Sequence, residues 1–318
     1  MKTIFAGTSA FAVPSLEKLI ASAHEVSAVI TQPDKPRGRG RQMLISPIKE
    51  VALAHGIPVL QPEKISDPDS FASIKSYGPI GAMVVVAYGQ KITPDLLNWP
   101  EHGVVNVHGS ILPKYRGAAP IQHAIISGER ETGVTTMLMD EGWDTGDILL
   151  QKTLDILPDE TAGELSVRLS LLGAGLLIDT LDDLESGKIS SVAQDDELAS
   201  LARSLSRDAG AIDWRHSASD VVNLIRGCTP KPGAFTRLNG TIIKVWSAAV
   251  VGGECATGEP GEIIDVNREG IKVAAQSGAV VLREVQAESR QRMSAPDFAR
   301  GMSLKPGGRF DERVVMEK

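Results

Sequence analysis

Three polar side chains, Asn106, His108 and Ser110, stand at alternate positions where an apolar run ends in "NVHGSILPKYRGAAP" (residues 106–120). A period of two puts alternate residues of a strand on one face, so an amide and an imidazole would project together. The amide can donate to an oxygen that is gaining charge, and the imidazole can donate to the same oxygen or move a proton. A second polar stretch, "MDEGWDTGD" (residues 139–147), adds Asp140, Glu141, Asp144 and Asp147. Of these, Asp144 would matter most if it lay beside the histidine, where a carboxylate fixes the tautomer or raises the basicity. The same residue types also do plain structural work. Asn and His at a strand end satisfy neighbouring backbone groups, and loop carboxylates face water, so the pattern alone leaves both readings open.

The elements that must position these residues follow from hydrophobic patterning. "KTIFAG", "EVSAVIT", "IPVL", "IGAMVVVAY" and "GVVNV" read as strands, the fourth apolar without alternation, as suits a strand covered on both faces. Helices open near Pro14 and at Pro47, the latter capped by Ser46 with Glu50 in its first turn. Strands and helices in this order predict βαβ units and a mostly parallel, Rossmann-like sheet, whose C-terminal strand ends are the usual place for chemistry. "ETGVTTMLMD" and "GDILLQKTLDI" then read as an antiparallel pair joined by "EGWDT". A long helix follows, with Thr161 and Glu164 at capping-box spacing and Leu165, Leu169, Leu172, Leu176 and Leu177 at helical intervals.

Past residue 187 the strand signal fades. "SASDVVNLIRG" predicts a helix capped by Ser217 and terminated by Gly227. Five short alternating segments, from "GAFTRL" to "AVVLREV", favour a small β-barrel or sandwich. The expected fold class is α/β, with a catalytic domain over residues 1–189, a linker over 190–207 and a smaller C-terminal domain over 208–318.

Composition narrows the function classes. A chain of 318 residues, 42% apolar and 23% charged, fits two globular domains. It has no uninterrupted apolar run of membrane-spanning length, and its first residues lack a secretory hydrophobic region, so a cytoplasmic location is expected. Cys228 and Cys255 make neither a disulfide scaffold nor a metal-ligand spacing, and no Walker A or GxGxxG signature is present. Lys and Arg number 17 against 26 Asp and Glu over residues 1–206, and 16 against 14 over the rest, so the overall charge of -7 conceals a slightly basic tail. One local run, "DKPRGRGRQM" (residues 34–43), alternates Lys35, Arg37, Arg39 and Arg41 with Pro and Gly. It reads equally as a solvated loop or a set of phosphate contacts.

Six segments taken together are more specific than any of these features. They are "FAGTSAFAVPSL" (5–16), "TQPDKPRGRG" (31–40), "VVVAYGQ" (84–90), "NVHGSILPKYRGAAPIQ" (106–122), "MDEGWDTGDIL" (139–149) and "NLIRGCTPKPGAF" (223–235). Through them the chain resembles the methionyl-tRNA formyltransferase family over nearly its whole length. The resemblance implies a formyltransferase domain followed by a tRNA-binding β-barrel related to OB folds. It implies 10-formyltetrahydrofolate as formyl donor, with no metal, and methionyl-initiator tRNA as acceptor, handled by a monomer. It also implies Asn106, His108 and Asp144 as catalytic residues and Ser110, Ile111, Leu112 and Pro113 as the folate-binding segment. Lys35, Arg37, Arg39 and Arg41 would lie beside the tRNA acceptor end, with Lys231 a further tRNA contact. Two positions depart from the family spelling: Gly109 replaces the usual alanine, and Lys231 stands where many relatives carry tryptophan. Formyl transfer to a small or sugar-linked amine, and a catalytically inactive RNA-binding homologue, are the alternatives. A covalent formyl-enzyme is not expected, because Cys228 lies outside the first domain and Ser110 has no evident base.

Overall fold

The computed structural model describes residues 1–37, 42–252 and 258–312. The chain forms two compact units. The first takes in Met1–Gly117, Thr132–Leu154 and Ser166–Leu201; the second takes in Ala118–Glu131, Asp155–Leu165 and the chain from Ala202.

The strands of the first unit are β1 (Lys2–Gly7), β2 (Glu25–Ile30), β3 (Lys35–Arg37), β4 (Gln42–Leu44), β5 (Val59–Leu60), β6 (Ala82–Val86), β7 (Val104–His108), β8 (Glu131–Leu138) and β9 (Ile148–Asp155). Seven of them make one sheet in the order β5-β2-β1-β6-β7-β8-β9. From β5 to β7 neighbours are parallel, and β8 enters antiparallel to β7. β9 returns along β8 as a hairpin, with the Leu138 N–H donating to the Asp147 carbonyl and the Leu150 N–H to Thr136 Oγ1. The order reverses beside β1, the switch point beside which doubly wound sheets generally bind ligands.

Both β6 and β7 are buried at every position, which is why β6 is apolar throughout. Val104 and Val85 lie in a cluster with Ile4, Ala6, Ile30 and Met83, and β7 pairs Asn106 with Val85. By the alternation of the strand, Asn106 and His108 therefore emerge on this face. Val107 takes the opposite face, where the helix Ala162–Glu185 approaches so closely that a Cβ on Gly173 would stand 2.9 Å from Val107 Cγ1. The capping box opening this helix is formed, with Thr161 N–H donating to Glu164 Oε2 and Glu164 N–H to Thr161 Oγ1.

The second unit is β-rich: β10 (Ala234–Leu238), β11 (Thr241–Val250), β12 (Ile263–Val266), β13 (Ile271–Ala274), β14 (Ala279–Ala287) and β15 (Met293–Ser294). They run antiparallel in the order β10-β11-β14-β13-β12, with β15 on β14. Asn239 and Gly240, both at positive φ, close the β10–β11 hairpin in the geometry that matches strand twist. Trp214 is fully buried, stacks on Phe310 and donates its indole N–H to Thr236 Oγ1.

Two sequence expectations change. The basic segment carries a two-stranded antiparallel ribbon, β3 with β4, that pairs Lys35 with Leu44 and Arg37 with Gln42. Gly227 is the last residue of the helix Ala218–Gly227 but not a left-handed stop, since Cys228 keeps a helical φ of −86°. Glycine is needed there for close approach: a Cβ would stand 2.5 Å from Ile126 Cγ1 and 3.0 Å from the Gln122 carbonyl. Alanine gains about 1 kcal/mol of helix propensity, but overpacking of this kind costs roughly 1–3 kcal/mol. Gly227→Ala should therefore lower the urea midpoint, and a raised midpoint would show that the two helices part freely.

Candidate active site

His108, the last residue of β7, and Asn106, two before it, are 6% and 8% exposed. Asp144 comes from the loop that joins β8 to β9 and reaches both. Its Oδ2 lies 3.7 Å from His108 Nδ1, and its Oδ1 lies 3.5 Å from Asn106 Nδ2. The structure thus brings together all three residues singled out as catalytic. The Asn106 contact is at the outer limit of a hydrogen bond, so the amide keeps donor capacity for another oxygen.

The far side of the imidazole is held by the main chain, where His108 Nε2 is 2.9 Å from the Tyr115 carbonyl oxygen. A carbonyl only accepts, so Nε2 carries the proton and neutral His108 turns the Nδ1 lone pair toward Asp144. When a second proton arrives at Nδ1, the Asp144 carboxylate is there to stabilise it. The tautomer is therefore set by Tyr115, a role that side-chain types in the sequence do not reveal.

Asp144 has φ +56°, the left-handed region that costs a non-glycine residue about 1 kcal/mol. The Gly117 N–H donates to its Oδ2 at 2.8 Å, which offsets that strain and aims the carboxylate. Elsewhere in the loop, Asp140 Oδ1 accepts from the Gly142 N–H and the Thr145 hydroxyl. Trp143 beside Asp144 is 71% exposed, an aromatic at the edge of the constellation that sequence reading passed over.

The segment Ser110–Pro113, expected to contact the folate, is held largely through its main chain. Ser110 and Leu112 are buried, and the Ser110 hydroxyl donates to the Lys114 carbonyl at 2.7 Å. Thr135 Oγ1 donates to the Ser110 carbonyl and accepts from the Leu112 N–H and from Gln151 Nε2. Gln151 Nε2 also donates to the Leu112 carbonyl. Ile111 and Pro113 are only half-buried, and they are the members of the segment with side-chain surface to offer. Thr135, paired opposite His108 in the sheet, is the hidden organiser of this turn.

Lys35 is exposed, and so is Lys231 in the second unit. Arg39, Arg41 and Cys255 lie outside the described residues, as does the side chain of Arg37. Cys228 is buried, and that burial pushes its thiol up to about 11, the opposite of an activated nucleophile. Among the described residues no group of three or more His, Cys, Asp or Glu is placed to hold a metal ion, and no helix is long and apolar enough to cross a membrane.

A sequence model of the formyl transferase family matches residues 1–181, and one of the formyl transferase C-terminal domain matches residues 204–303. The chain is 47% identical over 317 residues to the methionyl-tRNA formyltransferase of Geobacter sulfurreducens, covering 100% of this chain and 99% of that one. It is also 47% identical over 308 residues to the same enzyme of Ruminiclostridium cellulolyticum, covering 96% and 98%. Among solved structures, an N-formyltransferase from Helicobacter canadensis superposes with a TM-score of 0.67 at 19% identity, covering 90% of this chain and 99% of that one. A sugar 3N-formyl transferase superposes at 0.66 and 18%, covering 92% and 99%. At such identities the likeness is one of fold.

The arrangement around Thr135 generates a prediction. Thr135→Val keeps the volume but leaves the buried Leu112 N–H and Ser110 carbonyl without this partner, at about 1–3 kcal/mol for each group. Urea unfolding should register a loss of about 2 kcal/mol or more. Unchanged stability would show that the turn re-forms its bonds elsewhere.

Proposed function

This chain belongs to the methionyl-tRNA formyltransferase family, and from that premise we propose that it transfers the formyl group of 10-formyltetrahydrofolate to the α-amine of methionyl-initiator tRNA. The observation that carries the reading is the buried meeting of Asn106, His108 and Asp144 at the end of β7, in a chain matched end to end by such enzymes. The same reading gives residues 1–189 the transfer chemistry, 190–207 the link and 208–318 the tRNA. With it go a cytoplasmic location and action as a monomer.

The acceptor amine has a reference pKa of roughly 8, so much of its deprotonation needs little help. Attack of its lone pair on the formyl carbon pushes negative charge onto the formyl oxygen. Asn106, with its amide free to turn from the long Asp144 contact, donates to that oxygen. His108 takes part through Nδ1, because Nε2 is held by Tyr115. As the neutral ring it accepts a proton from the amine; as imidazolium, stabilised by Asp144, it donates. The bond from the formyl carbon to N10 then breaks and N10 takes up a proton, which His108 or Asp144 can supply. Ser110–Pro113 is the segment assigned to the folate. Its buried backbone holds the turn in place, while Ile111 and Pro113 supply surface.

The basic segment with Lys35, Arg37, Arg39 and Arg41 is assigned to the acceptor-stem phosphates, and Lys231 to a further tRNA contact. In such a role the side chains supply charge more than sequence reading. Formylation of a small or sugar-linked amine has only the distant fold likeness in its favour.

The test incubates the protein with 10-formyltetrahydrofolate and charged initiator tRNA, charged elongator tRNA, uncharged tRNA or a sugar amine, and reads product mass. Formylation of the charged initiator tRNA is expected; its absence from folded protein would overturn the reading. Asn106→Ala, His108→Ala and Asp144→Asn should each lower kcat about a hundredfold or more, in keeping with about 3 kcal/mol for one lost oxyanion donor. Their tRNA affinity should stay near that of the parent, and comparable affinity losses would move these residues into a binding role. Lys35→Ala should weaken tRNA binding and reduce the slope of log affinity against log salt by about one, the signature of a lost phosphate contact.

A further inference from the structure

Residues 191–201 run past both loops that carry the active groups, and each loop is bonded to them. Ile148 and Val192 exchange both backbone hydrogen bonds at 2.8 Å. The Ser191 hydroxyl donates to Asp147 Oδ2. At the other end, Ser200 Oγ accepts from the Tyr115 N–H, and the Ser200 carbonyl accepts from the Arg116 N–H at 2.8 Å. Tyr115 is the residue whose carbonyl holds His108 Nε2.

Between these anchors stands Gln194. Its Nε2 donates to the carbonyls of Asp144 at 2.9 Å and Gly146 at 2.7 Å. Its Oε1 accepts from Arg116 Nε at 2.9 Å. Arg116 is 7% exposed, and its Nη2 pairs with Asp196 at 2.8 Å. An amide oriented by a guanidinium on one side and donating to two carbonyls of the 144–146 turn on the other has its orientation fully determined. The groups it grips belong to the turn in which Asp144 adopts its left-handed φ.

We propose that Gln194 is a positioning residue for Asp144, buttressed by Arg116, and that the strap 191–201 sets the separation between the Asp144 carboxylate and the His108 ring. The proposal rests on the formyl-transfer reading above. Gln194 touches no reacting atom in this account. It acts by holding the main chain of the Asp144 turn, while the Gly117 N–H holds the side chain. Because the strap bonds Tyr115 at one end and the Asp144 turn at the other, a shift of the strap would move both partners of His108.

The test uses the full chain and the formylation assay. Gln194→Ala and Gln194→Glu should each lower kcat about tenfold to a hundredfold, the usual consequence of misplacing a catalytic group by about an ångström. The glutamate is the informative variant, since it keeps the size but faces two carbonyls with an oxygen instead of a donor. KM for both substrates should stay within about threefold, because ground-state binding is not what is lost. The Asp144→Asn/Gln194→Ala double variant should be within about twofold of Asp144→Asn alone, as required if Gln194 acts through Asp144. Thr161→Ala removes the cap of the long helix without touching the strap, so it should lower stability and keep kcat near that of the parent.

Multiplying losses in the double variant, or an equal loss in Thr161→Ala, would overturn the proposal in favour of general stabilisation. Full activity of Asp144→Asn would instead remove the reading beneath it. That failure is seen before Gln194 is changed, so the two are separable.

Discussion

A backbone carbonyl cannot donate a hydrogen bond, and much of this active site follows from the one that Tyr115 presents to His108. With Nε2 committed at 2.9 Å, only Nδ1 remains for chemistry, and Nδ1 faces the side on which Asp144 stands. The histidine is thereby given a direction as well as a tautomer. Its useful nitrogen can gain a proton only where a carboxylate will stabilise the product. Had the carbonyl been replaced by a donor, the neutral ring would present an N–H toward the carboxylate and lose its capacity to accept from an incoming amine. The site therefore depends on the path of the 110–117 turn as much as on the identity of its side chains.

That path is held by polar groups that would be costly to bury unpaired. Ser110, Leu112 and Thr135 are buried, and the Thr135 hydroxyl donates to the Ser110 carbonyl and accepts from the Leu112 N–H and the Gln151 amide. Each bond contributes only about 1 kcal/mol net, but each unsatisfied group would cost about 1–3 kcal/mol, so the network specifies one conformation by penalising the others. The left-handed turn at Asp144 is the complementary case. Its intrinsic cost is small, and bonds from Gly117 and Gln194 to the same residue outweigh it. Rigid elements supply coarse placement through the fully buried β7, and these bonded turns supply the rest.

The parts of this arrangement that were legible in the sequence are those with a periodic or compositional trace. Apolar runs marked β6 and β7, the Thr161 and Glu164 pair marked the long helix, and alternation put Asn106 and His108 on one face. Asp144 was singled out by chemistry and then by family resemblance, and the fold brings it to the histidine. Other parts left no such trace. Tyr115 contributes a main-chain oxygen, which any residue type would carry. Thr135 sits in "GVTTML", where a β-branched residue reads as an ordinary strand former. Gly227 has the sequence signature of a helix stop, but glycine serves close packing as well as positive φ, and only the neighbouring helix decides between them.

Gln194 shows where such reading ends. It lies in "SVAQDDELAS", a polar stretch without a strand signal and with at most a short helical candidate, and such composition ordinarily marks a connection. Yet the stretch returns along β9 at Val192 and along the 113–116 turn at Ser200, so its bonds are to segments distant in sequence. Irregular backbone held by distant partners has no local periodicity to betray it, because its conformation is dictated by what it touches. For the same reason it is suited to joining two loops of separate origin. A regular helix or strand along its whole length would impose its own repeat on the contacts, whereas a strap whose one helical piece is the short 3-10 turn Asp196–Leu198 can place a side-chain amide against one turn and a backbone carbonyl against the other.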